Sequence, residues 1–455
     1  MSVDDLPRAE DPHDADEPGS DTSGDDLRPT PPLRLRQLAQ ILGPGLVTGA
    51  SDDDPSGIAT YAQAGAQFQN RSLWTVILCL PLMIAVQEIC DRTALATDKN
   101  LGQLVRVKFT RAARFVVLLL LVALMASNLV NIAADLMAIG QGFSLLHWGN
   151  PAIWSLGAGI AIMAVVAVGT FDLVSRAFQL LCLSLLAYPA VLVAVRVDWG
   201  KVLTGSLGLA GAGSTDFWKL VVAILGTTIS PYLFFWQSAH RVEEIDEREA
   251  DGEAAQLDLQ PTRRSEKRRL FQSRLDVVIG MIFSEIVAFA IITATAATIG
   301  TKNATINSAA DAAQALRPVA GSWASILFAA GFIGSGLLAV PVLAGSASTA
   351  IAGMTGRPWG FGRSPRQAPL YYVLVGVGTL GGTLLSVFYS DAIGLLVFSA
   401  VVNGIAAAPF LIVAMLIARD RDLMGEHRIG KLSATVGWAA TAVMAAAGVV
   451  GVLTI

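Results

Sequence analysis

Long apolar runs separated by short polar loops recur along the chain from about residue 38 to its end. A helix needs about 20 mostly apolar residues, at about 1.5 Å per residue, to cross the hydrocarbon core of a bilayer. Alternating ten-residue strands, the mark of a membrane barrel, are not found. The pattern predicts about eleven membrane-spanning helices, over residues 38–68, 72–96, 113–146, 152–170, 175–197, 217–240, 275–299, 324–354, 369–389, 393–418 and 433–454.

Composition supports an all-α, polytopic membrane protein. Hydrophobic residues make up 53% of the 455 residues, charged residues only 15%, and the mean hydropathy is +0.57, which is more apolar than a soluble globular chain. Cys79, Cys90 and Cys182 lie in or at the ends of apolar runs, where small buried hydrophobes are the expected interpretation. No metal cluster, nucleophile motif or phosphate-binding loop indicates an enzyme.

The chain is expected to divide into four parts. Residues 1–36 are rich in Asp, Pro, Ser and Gly and lack large apolar side chains, which predicts a disordered cytoplasmic tail. That tail has no apolar signal-peptide core, so the first span should direct insertion. Residues 37–240 hold spans one to six, residues 241–274 form a charged cytoplasmic loop, and residues 275–455 hold spans seven to eleven.

Lysine and arginine are concentrated in alternate loops. By the positive-inside rule, these loops face the cytoplasm, which places the N-terminus inside and the C-terminus outside the cytoplasmic membrane. The basic run at residues 263–269 is then a determinant of topology and not a nucleic-acid site. Cations of the enriched loops lie at Arg92–Arg111, at Arg176, at 263–274, at 357–366 and at 419–431, whereas the opposite loops hold Arg71, Lys201, Lys302 and Arg317.

Two apolar runs are interrupted by polar residues and proline. The first span contains TGASDDDPSG, with Pro55, and the sixth contains LGTTISPYLFF, with Pro231. Proline removes a helical hydrogen bond and clashes with the preceding turn, so both helices should break there. Spans one and six are corresponding positions if ten helices form two halves of five. Such paired breaks indicate a secondary transporter with inverted repeats and a substrate site at the breaks.

These two motifs and two further segments resemble the NRAMP family of divalent-metal transporters. Gly43 and Pro44 precede Asp-Pro-Ser-Gly (residues 54–57) at the spacing of the family's Asp-Pro-Gly-Asn, and Ser-Pro-Tyr (residues 230–232) stands for its Met-Pro-His. AADLMAIG around Asp135 and LMGEHR before the last span are also similar. The resemblance covers the membrane domain and implies a LeuT-type fold of two inverted five-helix repeats plus an eleventh helix.

The resemblance implies an ion site at the two breaks, with Asp54 as the metal ligand. Successive aspartates point about 100° apart on a helix, so Asp52 and Asp53 are expected to line a vestibule or to bond to freed backbone groups. Gly57 replaces the family's Asn and Ser230 its Met, which leaves a wider site lined by oxygen. Such a site favours Mg²⁺, which keeps several waters, and leaves Mn²⁺ open. The site residues are Asp54, Gly57, Ser230, Tyr232, Asp53 and Ser56, with helix breaks at Pro55 and Pro231.

Proton coupling is expected to be lost. Asn128 stands where the family has an acid, and Tyr232 and Gln237 stand where it has histidines, the side chains that most easily change charge near neutral pH. Glu285 could replace them as a titrating group, or could pair with an Asn or Ser of a neighbouring helix. Candidate pathway residues are Asp135, Asn128, Asn131, Glu285 and Gln237.

Two other functions are compatible with these residues. Free N–H groups of the half-helices after Pro55 and Pro231 would suit a small anion such as bicarbonate, moved with Na⁺ held by Asp54. A receptor with the same fold would not transport. In each case the expected partners are the bilayer and a small inorganic ion, with no nucleic acid and no resident cofactor, and the working unit is expected to be a monomer.

Overall fold

A computed structural model describes residues 43–168, 177–178, 180–208, 214–250, 263–298, 300, 323–389 and 391–454. The predicted tail at residues 1–36 and the middle of the predicted loop at 241–274 lie outside these residues. The described chain is helical, with no strand. Its main helices are α1 (Pro44–Asp52), α2 (Pro55–Phe68), α3 (Leu73–Thr97), α4 (Leu101–Lys108), α5 (Arg111–Leu145), α6 (Pro151–Val168), α7 (Ala187–Ala194), α8 (Trp199–Ser206), α9 (Thr215–Thr228), α10 (Pro231–Ala250), α11 (Arg263–Thr298), α12 (Trp323–Thr355), α13 (Pro369–Phe388), α14 (Ala392–Ala418) and α15 (Lys431–Thr454).

Every predicted span contains a helix. Nine helical stretches of the described residues are long and apolar enough to cross a membrane, and the shorter apolar helix Leu180–Leu192 occupies predicted span five. One of the nine, Pro55–Thr97, joins the second half of span one to span two. The chain is therefore a multi-pass membrane protein, and the predicted all-α class is confirmed.

The largest departure from the predicted bounds is at the charged loop. Helix α10 continues to Ala250, and α11 begins at Arg263 instead of 275, so the described ends of the 241–274 segment are helical. Polar side chains continue these helices because they find partners on neighbouring helices at this end of the bundle. Arg241, for example, forms ion pairs with residues of α3 and α11.

Glycines bring α1 into backbone contact with α11. A Cβ atom on Gly49 would lie 2.1 Å from the Gly280 carbonyl oxygen, and one on Gly280 would lie 2.1 Å from the Gly45 carbonyl oxygen. Small residues allow such close packing in membranes, where helix association depends on van der Waals contact. This packing fixes the end of α1, and hence the break that follows it, against span seven.

Candidate functional site

Span one is interrupted at three successive aspartates. Helix α1 ends at Asp52, and α2 begins at Pro55 with Asp54 as its N-cap. Proline is favoured in the first turn because it has no N–H to leave unpaired there. The Asp54 carboxylate accepts a hydrogen bond from the Gly57 N–H at 2.8 Å, as a capping aspartate does. The local sequence therefore produces both the break and the position of its charge.

Span six is interrupted in the same way but without a charge. Helix α9 ends at Thr228 and α10 begins at Pro231. The Ser230 hydroxyl lies 2.7 Å from the carbonyl oxygens of both Gly226 and Thr227, to which it donates. Ser230 thus caps the end of α9. No hydrogen bond of the described residues joins Ser230 to Asp54.

Hydroxyl groups from both breaks surround the Asp54 carboxylate. Its Oδ1 accepts from the Ser56 hydroxyl at 2.5 Å, and its Oδ2 accepts from the Tyr232 hydroxyl at 3.3 Å. The Tyr232 hydroxyl is also 3.0 Å from the Ser51 carbonyl oxygen, and Thr227 Oγ1 lies 3.3 Å from Ser56 Oγ. Asp54 is only 1% exposed. The site therefore joins the two breaks through neutral oxygen atoms around one buried carboxylate.

Thr227 is a part of this arrangement that the sequence analysis missed. The available signal was the pair of threonines in LGTTISP, which places hydroxyls in the last turn before the break. Thr228 has a similar position, since its hydroxyl lies 2.9 Å from that of Tyr61 on α2. Both threonines connect the end of α9 to α2.

Gly57 packs closely against oxygen atoms of the site. A Cβ atom at this position would lie 3.1 Å from the Asp52 carbonyl oxygen, 3.2 Å from Thr227 Oγ1 and 3.4 Å from a ring carbon of Tyr61. Any side chain here would have to displace or cover these oxygen atoms slightly. Glycine therefore allows α2 to approach the Asp52 carbonyl and the Thr227 hydroxyl closely.

Asp52 and Asp53 are fully buried and do not line an open vestibule in this structure. Asp52 Oδ2 accepts from the Ser284 hydroxyl at 2.7 Å, which is a side-chain contact and not the backbone contact considered above. Neither carboxylate oxygen of Asp53 has a hydrogen-bond partner among the described residues. Asp53 is close enough to Asp52, Glu285 and Asp54 to interact with them electrostatically, so several carboxyl groups are crowded together at the break.

Comparison with known proteins identifies the family. The sequence matches the profile described as "Natural resistance-associated macrophage protein-like" over residues 45–454. This chain belongs to that Nramp family. It is 26% identical over 422 residues to the divalent metal cation transporter MntH of Deinococcus radiodurans, covering 90% of this chain and 88% of that protein. It is 22% identical over 423 residues to the metal transporter Nramp3 of Oryza sativa, covering 89% and 72% of the two chains.

Solved structures establish the fold of this Nramp chain. The Eremococcus coleocola manganese transporter is 14% identical and matches with a TM-score of 0.73, covering 94% of this chain and 89% of that one. Mhp1, a nucleobase-cation-symport-1 transporter, is 15% identical and matches with a TM-score of 0.53, covering 91% and 90%. The predicted family and the predicted LeuT-type fold are confirmed, and the relatives are transporters, not enzymes.

The candidate pathway residues on span three lie deep inside this Nramp chain. Asn128 donates from Nδ2 to the Leu343 carbonyl oxygen at 2.9 Å and to the Ser346 hydroxyl at 3.2 Å, which ties α5 to α12. Asn131 and Asp135 are fully buried, and their side-chain polar atoms have no partner among the described residues. Asp135 interacts electrostatically with Asp54. Span three thus presents polar atoms close to the break.

Glu285 lies on α11 and is 5% exposed. It borders a cavity of about 290 Å³ whose other lining residues are apolar, among them Ile77, Ile282 and Ile286. Its Oε1 atom has no hydrogen-bond partner in the described part of the chain. The expected pairing of Glu285 with an Asn or Ser is therefore not seen at Oε1 among the described residues.

Gln237 is separate from the Asp54 site and joins a second polar group. Its Nε2 donates to Asp91 Oδ1 at 2.8 Å, and its Oε1 accepts from the Thr48 hydroxyl. His240 is buried, but it lies nine residues beyond Pro231, about 13 Å along the helix. No hydrogen bond of the described residues joins Gln237 to Asp54.

A charged network, which we call the Arg241 network, closes the end of the bundle where α1 begins. The Arg241 guanidinium contacts Asp91 Oδ1 at 2.6 Å, Asp276 Oδ2 at 3.0 Å and Glu244. Asp276 also accepts from the backbone N–H groups of Gly43 at 2.9 Å and Gly45 at 2.8 Å. This network joins α1, α3, α10 and α11, and the sequence analysis did not identify it.

Proposed function

We propose that this Nramp chain transports a divalent cation across the membrane, with Mg²⁺ favoured and with Asp54 as its charged ligand. The observation that carries the proposal is the Asp54 carboxylate, buried between two helix breaks and surrounded by neutral oxygen atoms. Its relatives are divalent metal cation transporters and metal transporters, which supports the same substrate class.

The chemistry of the ligands favours a hard cation. Ser56, Tyr232 and Thr227 contribute hydroxyl groups, and a hydroxyl can turn its hydrogen away and offer a lone pair instead. No group of three or more His, Cys, Asp or Glu side chains with the geometry for a metal occurs in the described residues. One carboxylate with neutral oxygens suits an ion that keeps part of its water shell, as Mg²⁺ does, whereas soft metals prefer sulfur or nitrogen.

The anion alternative has less support. The N–H of Gly57, which a bicarbonate ion would need at the start of α2, is already bonded to Asp54 Oδ1. A small anion would have to replace a carboxylate that belongs to the chain and would lie beside Asp53 and Asp52. Repulsion from the Asp54 carboxylate itself disfavours the anion in a low-dielectric site. A non-transporting receptor would keep the ion site and fail to move the ion.

We further propose passive transport, with the N-terminus in the cytoplasm and the C-terminus outside. The lysine and arginine distribution supports this orientation. Beside the ion site, Tyr232 contacts Asp54 where the family has a histidine, and Asn128 is engaged by α12. Neither is a side chain that exchanges a proton near neutral pH.

Ion flux into proteoliposomes tests the proposal. Mg²⁺, Mn²⁺ and bicarbonate should be supplied separately to the wild type, to Asp54→Asn and to the matched control Asp422→Asn, which changes an exposed carboxylate. We expect Mg²⁺ flux in the wild type and the control, and at least a hundredfold loss, about 3 kcal/mol, in Asp54→Asn. Wild-type flux in a folded Asp54→Asn protein would refute the site, and bicarbonate flux without Mg²⁺ flux would refute the substrate class.

A further inference from the structure

A basic cavity lies at the end of the bundle where spans two and eight end and span three begins. Its volume is about 540 Å³, and it is bordered by α4, the first turn of α5 and the segment after α12. The cationic side chains of its wall are Lys99, Arg106, Arg114, Arg357 and Arg363. We call it the basic cavity.

Most of these cations have no ion-pair partner among the described residues. No carboxylate lines the basic cavity in the described part of the chain, and Arg363 alone of the five forms an ion pair there, at 3.8 Å from Asp246 with both side chains about half exposed. The Arg114 Nε atom is buried and has no hydrogen-bond partner among the described residues. Like charges repel one another, so this arrangement favours an anion between them.

The wall of the basic cavity has a defined shape. Gly356 has a φ of +73°, which other residues rarely adopt, and a Cβ atom there would lie 1.5 Å from Arg106 Nη1. The Arg106 guanidinium therefore lies directly over the Gly356 backbone. Helix α4 is held in place by a capping box between Asn100 and Gln103 and by the contact of Gly102 with Ala350 of α12.

The mouth of the basic cavity is next to the lipid-facing surface. Val107, which lines it, is 59% exposed, and Phe115, one residue after Arg114, is 61% exposed. Exposed apolar side chains continue along α5 at Val116, Leu119 and Val122. The cations thus lie at the depth where the apolar surface of the span begins, which is the level of lipid headgroups.

We propose that the basic cavity binds a phosphate-bearing anion at the membrane surface. Arginine presents parallel N–H groups that match phosphate oxygens in pairs, and clustered Lys and Arg beside a span attract anionic lipids. The cavity is large enough for a phosphodiester headgroup and its neighbouring polar group. This site is separate from Asp54, and its occupancy does not depend on which ion the protein transports.

Native mass spectrometry of the full-length protein in detergent tests the lipid source. Phosphatidylglycerol, cardiolipin and phosphatidylcholine are each added separately to three proteins: the wild type, a cavity variant and a control variant. The cavity variant combines Arg106→Gln, Arg114→Gln and Arg357→Gln. The control variant combines Arg111→Gln, Arg366→Gln and Arg421→Gln. The control also loses three exposed cations from polar segments, but none lines the cavity. A second arm measures the rise in melting temperature caused by inorganic pyrophosphate, which tests a soluble phosphate source.

We expect at least tenfold weaker binding of the anionic ligand in the cavity variant and unchanged binding in the control. If the wild type retains phosphatidylglycerol and cardiolipin, the ligand is a lipid headgroup. If pyrophosphate raises its melting temperature, the ligand is a soluble phosphate. Equal binding by both variants, or no binding in either arm, would overturn the proposal. If the triple variant elutes as an aggregate, Lys99→Gln with Arg357→Gln, which changes two exposed side chains, is tested by the same criteria.

Discussion

Two groups of buried carboxylates lie along α1, and they differ in whether a cation accompanies them. At the start of α1, Asp91 and Asp276 share the Arg241 guanidinium. At its end, Asp53 and Asp54 have no ion pair in the described residues, and the hydrogen bonds that Asp54 accepts come from hydroxyls and one backbone N–H.

The comparison separates a structural role from a role in ion binding. A buried carboxylate is costly unless charge or hydrogen bonds compensate it. The Arg241 network supplies its own counter-ion, so it can hold helices together without a ligand. The Asp54 site has no counter-ion among the described residues, and the proposed function assigns that role to the transported cation. The same chemical group therefore holds helices together at one end of α1, and under the proposed function it would bind the transported cation at the other.

Removal of the counter-ion from the Arg241 network should have the largest effect. Arg241→Ala leaves Asp91 and Asp276 buried without their partner, and breaking a buried pair in this way costs about 3–5 kcal/mol of unfolding free energy. We expect a clear fall in the melting temperature in detergent. The control is Arg274→Ala, because the Arg274 side chain is 56% exposed and lies 3.5 Å from Glu88, a pair worth about 0–1 kcal/mol. Equal falls in both variants would contradict a structural role for the network.

Much of the fold could be predicted because hydropathy reports on burial in lipid. The predicted run at 369–389 corresponds to Pro369–Phe388, and the run at 113–146 to Arg111–Leu145. Hydropathy gives the wrong starts and ends where polar residues remain helical. Helix α11 starts twelve residues before its predicted start, and near the predicted start Ser273, Arg274 and Asp276 contact residues of α3 and α10; such contacts are a tertiary property that hydropathy does not contain.

The site was partly predictable for a similar reason. Proline and aspartate act locally, so Asp54 and Pro55 identify a break and its cap from the sequence alone. Thr227 and Arg241 depend on contacts with residues 171 and 150 positions away, Ser56 and Asp91. No local pattern contains this information. For Ser230 the sequence suggested a contact that the structure does not contain. Its position in the motif predicted a place in the ion site, whereas its hydroxyl bonds to carbonyl oxygens of α9.

Replacement of two residues at the breaks should change metal preference by a smaller amount. Gly57→Asn adds an amide beside Asp54, Ser230→Met adds a thioether at the second break, and softer ligands favour Mn²⁺ over Mg²⁺. We expect Mn²⁺ affinity to rise about tenfold relative to Mg²⁺, the effect of about 1.4 kcal/mol. Isothermal calorimetry measures both affinities. Ser230→Ala is the control, since it also removes the cap of α9 but adds no sulfur. Equal selectivity in a folded double variant and the control would refute the ligand argument.

Removal of one hydroxyl should have a modest effect. Tyr232→Phe deletes the group that lies 3.3 Å from Asp54 Oδ2 and 3.0 Å from the Ser51 carbonyl oxygen. A net contribution of about 0.5–1.5 kcal/mol per hydrogen bond predicts Mg²⁺ affinity weaker by about two- to tenfold. Tyr389→Phe, which changes a half-exposed tyrosine, is the control. Unchanged affinity in Tyr232→Phe would mean that this hydroxyl is not an ion ligand.

The smallest expected effect is on proton movement, where we predict none. An inside-negative potential contributes about 2.3 kcal/mol per charge for each 100 mV, so about 4.6 kcal/mol for a divalent cation. That is enough to sustain a gradient of more than about a thousandfold, so no second ion is needed. Liposomes that contain a pH-sensitive dye should show potential-driven Mg²⁺ entry without acidification. Acidification in proportion to Mg²⁺ entry would contradict this prediction. If that acidification disappeared in Glu285→Gln, the buried Glu285 carboxyl would be identified as the group that carries protons. Proton coupling would then occur even though the partners of Asp54 are uncharged.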